Sequence, residues 1–175
     1  MTSVIKVDTI QNSSGTSALS IDGSGNITAN QYIKQNAIPA FRVYSTAGSF
    51  QQGHVEFNNV AFDVTSSYST SGHYFEAPVD GIYRFDLVTF ACASDGNTAT
   101  GTSASQFQVS TNSGSSWTDV IHMYGNTPSS SYPQRSGTAL LNLSAGDYVR
   151  ISFGGLYAYS DSSGLYLHFS GHLVA

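Results

Sequence analysis

Five histidines, His54, His73, His122, His168 and His172, are the side chains of this sequence best suited to moving a proton or holding a transition metal near neutral pH. A hydrolase would set one of them beside a nucleophile, or pair two carboxylates in a cleft. Neither pattern is legible. The GxSxG turn that exposes a nucleophilic serine is absent, and serines are so common that a chance approach to a histidine carries no information. The eleven acidic residues are scattered, and four of them stand in turn words: Asp22 in DGSGN, Asp80 in VDG, Asp95 in SDGN and Asp147 in AGD. A carboxylate in such a place bonds to the amides of its own turn, which is structural work. No calcium-loop ligand spacing occurs. The GSG inside DGSGN lacks the helix and lysine of a phosphate-binding loop and reads as a hairpin turn. His168 and His172, four residues apart on an apparent strand, would be separated by about 13 Å, too far to ligate one metal together. The residues therefore give no catalytic constellation, no cofactor and no assigned metal.

Charge bounds the partners. Six Lys and Arg stand against eleven Asp and Glu, a formal net charge of -5, so no basic stripe is available for a phosphate backbone and nucleic acid is not expected as a partner. Charged residues make up only 10% of the 175, while Ser, Thr, Gly and Asn abound and aromatics reach 13%. A skin of hydroxyls and amides suits a surface repeated by symmetry, where like charges would otherwise meet. The single cysteine, Cys92, excludes an internal disulfide and reads as a small buried thiol. No apolar run is long enough for a membrane span, and MTSVIKVDTIQNSSG does not read as a signal peptide, so membrane insertion is not expected.

The elements that must position these residues fall into two parts. In residues 1–38, SVIKVDTIQ alternates, NSSGTS breaks the pattern, and ALSIDGSGNITANQYI offers two short runs about a turn, which predicts a strand, a loop and a hairpin. Its large apolar residues are Val4, Ile5, Val7, Ile10, Leu19, Ile21, Ile27 and Ile33. Such a hairpin is marginal alone, and the simplest partner is a copy of itself. From Pro39 onward short apolar runs recur between Gly, Ser and Asn clusters. Tyr83, Phe85 and Leu87 share one face, as do Val149, Ile151 and Phe153, and as do Leu165, Leu167 and Phe169. No window of comparable length has a helical period. The pattern predicts an all-β sandwich or jelly roll of nine or ten strands. Residues 97–106, 122–137 and 154–164 read as loops that mix Tyr with Ser, Gly and Asn. Rigid rings with adaptable hydrogen bonds suit sugars or protein surfaces, so Tyr124, Tyr132, Tyr157 and Tyr159 are candidate recognition residues, the alternative being partly buried surface rings.

Phe57, Asp63, Tyr68, Phe75, Gly81, Tyr83 and Phe85, in that order and at those separations, resemble the signature of the globular head of complement subcomponent C-one-q. Leu87 stands where that signature ends in an aromatic. The resemblance continues through PAFRV at 39–43, through Gly146 and Asp147 in SGTALLNLSAGDYVRI, and through Phe169 and Gly171 in FSGHLV, and so covers residues 39–175. It implies a ten-stranded jelly-roll head that assembles as a homotrimer, as in the related tumour necrosis factor family. It also implies that the closing strand lies in the sheet facing the trimer axis, which makes Tyr166, His168 and His172 candidate interface residues. Three copies of one histidine could then meet around a metal or anion, and some members of the family bind calcium; both stay open. The leader IKVDTIQNSSGTSALSIDGSGNITANQYI resembles the leaders of bacteriophage fibre proteins, especially those of marine phages that infect cyanobacteria, in which short strands wrap into a stem or dock on the particle.

Together these readings describe a non-enzymatic virion structural protein of a bacteriophage, a homotrimeric short fibre or spike assembled in the host cytoplasm. Residues 1–38 would anchor it to other virion proteins. Residues 39–175 would present the jelly-roll head to a host surface glycan or protein, or decorate the capsid. The alternative is a non-viral bacterial recognition module that binds glycan or protein; a glycan-cleaving enzyme comes third.

Overall fold

The computed structural model describes residues 7–11, 13–29, 38–48 and 50–175, with the backbone alone at 128–130. The start of the expected first strand, with Val4 and Ile5, and the end of the expected hairpin, with Ile33, lie outside them. The chain divides into two compact units, Met1–Asn36 and Ala37–Ala175.

In the first unit β1 (Thr9–Gln11), β2 (Ser17–Ile21) and β3 (Ile27–Ala29) form an antiparallel sheet in that order. Asp22 builds the turn between β2 and β3. Its Oδ1 accepts from the amides of Ser24 and Asn26, each at 2.9 Å, and its Oδ2 accepts from Asn26 Nδ2 at 2.9 Å. The Asn26 side-chain bond, then the Asn26 and Ser24 amides, hold its carboxyl below the usual carboxylate range. No described residue of this unit is buried; Ile10 is 48% and Ile27 65% exposed. Strands this short with no core of their own are marginal in water.

The second unit holds β4 (Ala40–Tyr44), β5 (Gln51–His54), β6 (Asn59–Asp63), β7 (Tyr68–Ser69), β8 (Tyr74–Glu76), β9 (Gly81–Cys92), β10 (Ala99–Ser110), β11 (Thr118–Ser131), β12 (Gln134–Leu143), β13 (Tyr148–Tyr159) and β14 (His168–Leu173). Those eleven strands replace the ten that the family resemblance implies, and no helix occurs among the described residues. The count rises because short pieces such as β7 pair as strands in their own right, here with β8. The segments 97–106, 122–137 and 154–164 are also corrected: most of their residues are strand, not loop. Their Ser, Thr and Gly are held extended by pairing, for β10 bonds to β11 on one edge and to β13 on the other.

The ladder runs β11-β10-β13-β9-β14-β4-β6, with β12 on β9 and with β5 and β8 on β13. It folds over into a jelly-roll sandwich. One layer is β12–β9–β14–β4–β6 and the other is β11–β10–β13 with β5 and β8; they join where Phe90, Ala91 and Cys92 pair with Tyr159, Ala158 and Tyr157. Alternation decides which side chains enter the core. Phe41, Phe85 and Phe169 come from the first layer and Phe107, Ile151 and Phe153 from the second, all at most 1% exposed, and the Phe107 and Phe169 rings lie 6.3 Å apart. Each such side chain contributes about 1.5–3 kcal/mol by leaving water. Leu165 departs from the expected pattern: it precedes β14 and is 68% exposed, so it does not share the inward face of Leu167 and Phe169.

The signature residues have local causes. Phe57, Phe75, Tyr83, Phe85 and Phe169 are buried, and Phe75 lies 5.4 Å from both Tyr83 and Phe85. Asp63 Oδ2 accepts the Tyr68 amide at 2.8 Å, which closes the turn leading into β7. A Cβ on Gly81 would meet Leu173 Cδ1 at 2.5 Å, and one on Gly171 would meet Phe85 Cδ1 at 2.5 Å. Gly146 turns with a φ of 87°, and Asp147 Oδ2 accepts the Ser144 amide at 2.8 Å.

Candidate functional site

Because Tyr83, Phe85 and Leu87 of β9 point into the core, Ile82, Arg84, Asp86, Val88 and Phe90 point out of the first layer. The register extends that face across the neighbours. Arg84 lies between Leu140 and His172, Asp86 between Thr138 and Ser170, and Val88 between Ser136 and His168; beyond them Tyr44 pairs with His168 and Arg42 with Phe62. The surface is broad and mixed. Leu140 is 63%, Phe62 50% and Ile82 42% exposed.

Polar groups on this face pair among themselves. Asp86 accepts from Thr138 Oγ1 at 2.6 Å and from Arg84 Nε and Nη2, each at 3.1 Å at its shortest. Burial pushes the Asp86 carboxyl up, but the Thr138 and Arg84 bonds and the Arg84 and His172 charges outweigh it and hold it below the usual range. His168 Nδ1 stands 3.4 Å from Arg42 Nη2, and burial first, then the Arg42 charge, pulls its pKa down. His168 and His172 do share this face, on rungs four residues of register apart, opposite Val88 and Arg84. Among the described residues no three His, Cys, Asp or Glu side chains gather as metal ligands.

Where the two layers join, the same face ends in an aromatic hollow. Phe90, Tyr132, Tyr159 and Tyr166 line about 160 Å³. Tyr166 meets Tyr159 at 5.2 Å and Phe90 at 5.4 Å, both edge-on, and Tyr132 lies 5.3 Å from Tyr159. Tyr132 is fixed by donating its hydroxyl to Gly96 O at 2.9 Å, and Phe50 stacks behind Tyr159 at 6.2 Å. Burial, then the Asp161 charge, raises the Tyr159 pKa. Beside the hollow Cys92 is buried, and burial with the Asp95 charge pushes its thiol up to about 11, which leaves it unreactive.

The four candidate tyrosines therefore part company. Tyr132 and Tyr159 join Tyr166 in the hollow, Tyr157 lies in the β9–β13 junction opposite Cys92, and Tyr124 sits on β11 in the other layer, stacked on His122 at 5.6 Å. Phe90 was missed by sequence reading, although its outward parity on β9 is a signal that could have found it. A second cluster was also missed: Arg150 lies 3.9 Å over Trp117, and Tyr74 stacks on Tyr148 at 4.1 Å. Elsewhere His54 Nε2 stands 3.4 Å from His73 O, and burial lowers the His54 pKa. Among the described residues no helix is long and apolar enough to cross a membrane.

The family model described as the C1q domain matches residues 40–174. Among solved structures, the globular domain of zebrafish complement 1qA protein is 23% identical with a TM-score of 0.59, and the match covers 79% of this chain and 98% of that one. Murine APRIL at pH 5.0 is 11% identical with a TM-score of 0.60, covering 79% and 100%. The Eiger TNF of S. frugiperda is 11% identical with a TM-score of 0.61, covering 79% and 93%. These likenesses show a shared fold. Among curated proteins no sequence matches this chain.

Proposed function

Because the chain belongs to the C1q-domain family, matched over residues 40–174, we propose that it is a non-enzymatic recognition module that works as a homotrimer. The observation that carries this is the outward face of β12–β9–β14–β4–β6, where Leu140, Phe62 and Ile82 are 42–63% exposed around a self-paired Arg84–Asp86. A broad sheet face with large apolar side chains around a matched Arg84–Asp86 pair is suited to meeting a copy of itself. Tyr166, His168 and His172 lie at that contact in the proposed assembly.

We further propose that the trimer belongs to a bacteriophage virion, assembled in the host cytoplasm. Residues 1–38 hold it to other virion proteins and residues 39–175 form the displayed head, a receptor-binding tip or a capsid decoration. Two things support this: the likeness of the leader to phage fibre leaders, and a first unit with no buried residue among those described, which needs another surface to cover it. Native mass spectrometry should give about three times 18.6 kDa, and labelled antibody against the head should decorate the particles of the encoding phage. A clean monomer at micromolar concentration defeats the trimer. Unlabelled particles defeat the virion role and leave a non-viral recognition module.

A further inference from the structure

The outward face of the second layer contains a pit with its own chemistry. The register on β11, β10 and β13 sets Tyr124, Ala104 and Gly154 in one row and His122, Gln106 and Ser152 in the next outward row. Ala104 and Gly154 contribute one carbon and none, so the sheet surface is dented between taller neighbours. The result is a pit of about 270 Å³ floored by Ala104 and Gly154 and walled by Thr102, Gln106, Tyr124 and Gly155. The dent is built into the backbone: Gly155 has a φ of 81°, and a Cβ there would fall 2.1 Å from Thr102 O.

Three properties define what fits. First, Gln106 lines the pit and its Oε1 is buried with no partner within the chain; Ser103, of opposite parity on β10, faces inward with Ser105 and Phe107. Buried polar atoms in folded proteins are almost always hydrogen-bonded, so this amide oxygen calls for a donor from outside. Second, no Asp, Glu, Lys, Arg or His lines the pit, so a phosphate, sulfate or carboxylate would find no opposite charge. Third, the Tyr124 ring is 70% exposed yet held upright, stacked on His122 at an interplanar angle of 14°, while His122 Nε2 is tied to Asp119 Oδ2 at 3.1 Å. A supported ring offers an apolar face at small entropic cost.

A ligand with hydroxyls on its edge, an apolar C–H face and no charge meets all three conditions. The geometry points to a subsite for one neutral sugar ring of a glycan, its C–H face against Tyr124 and a hydroxyl on Gln106. This rests on the recognition reading above and names its ligand class. Farther along the same face the chain Asp119–Gln108–Arg150, joined by bonds of 2.7 and 2.8 Å, leads to the ring of Trp117 under Arg150. That second ring suits a neighbouring sugar, so an oligosaccharide is favoured over a free monosaccharide.

The test uses the full chain as wild type, Tyr124→Ala and Gly154→Val. Gly154 lacks a positive φ, and a Cβ there meets Gln106 Nε2 at 3.6 Å, an ordinary contact, so Val fills the pit without straining the strand. The probes are immobilised neutral oligosaccharides of hexose and N-acetylhexosamine, alongside sialylated and sulfated counterparts. The wild type should bind at least one neutral probe, and each variant should bind it about tenfold more weakly or worse with unchanged melting temperature. Absence of neutral binding by the wild type, preference for the charged counterparts, or undiminished binding by both variants overturns the subsite. Mass is measured on the same samples, so failed glycan binding by an intact trimer overturns the subsite alone.

Discussion

Replacing Leu140 by Asp tests whether the outward face of the first layer is the assembly surface. Leu140 stands on β12 beside Arg84 and is 63% exposed in the single chain. Full burial of a leucine contributes about 1.5–3 kcal/mol, so covering the exposed part in a contact contributes about 1–2 kcal/mol per copy. Three copies contribute about 3–6 kcal/mol per trimer, roughly two to four orders of magnitude in the association constant. Because that constant scales with the square of concentration, the concentration for half-assembly should rise roughly ten- to a hundredfold on loss of the side chain alone. A carboxylate adds a desolvation cost, so Leu140→Asp should exceed Leu140→Ala. Sedimentation velocity over a dilution series reads the midpoint directly. Val120→Asp is the control, since Val120 is 42% exposed but lies on β11 in the other layer. If Leu140→Asp keeps the wild-type midpoint, or Val120→Asp shifts it as much, the assembly does not use this face.

Gly171→Ala should destabilise the head by about 1–3 kcal/mol in chemical denaturation, because its Cβ would press into the buried rings of Phe85 at 2.5 Å and Phe41 at 2.9 Å, which are packed on all sides; a neutral result would mean that those rings move. Stability should also fall as pH drops below about 6.5, the ordinary histidine value from which burial lowers both His54 and His168. Below that value the unfolded chain binds protons that the folded chain refuses, so stability is present above the unfolded pKa and lost on acidification. The depressed carboxyls of Asp22, Asp86 and Asp95 act only below their ordinary 3.8, which leaves a clear window. A melting temperature that rises on going from about pH 7 to about pH 5, or a slope that His54→Gln with His168→Gln does not flatten, refutes this.

Core positions were legible because burial on one side of a strand writes itself into alternate letters. The run from Tyr83 to Leu87 announces its inward face without any knowledge of its neighbours. The strand at 99–106 was not legible for a complementary reason: its Ser, Thr and Gly are extended through backbone bonds to β11 and β13, and side-chain composition does not report backbone partners. The same holds for the sites. Phe90, Tyr132, Tyr159 and Tyr166 converge only because distant strands pair, and Tyr124 leaves the other tyrosines because its place on β11, opposite Ala104 of β10, lies away from the β9–β13 junction. The pit was invisible because small residues such as Ala104 and Gly154 acquire meaning only when register sets them side by side.

The two outward faces meet water differently, and that difference divides their work. The first presents large apolar side chains over a broad, gently mixed surface whose Arg84 and Asp86 already satisfy each other. Area of this kind gains by being covered with more of the same. The second is dented, its Tyr124 ring braced by His122 and its Gln106 Oε1 still unpaired, features that gain from a small complementary guest. A shallow pit of about 270 Å³ holds one ring weakly. In the proposed trimer three such pits would engage a repeated glycan together, and linkage of that kind would raise overall avidity about 10²- to 10⁴-fold with no new contact. On the proposed reading, assembly through the first face would make recognition through the second strong enough to hold. Leu140→Asp should consequently weaken capture on a densely glycosylated surface while leaving the affinity of each pit for a soluble oligosaccharide unchanged.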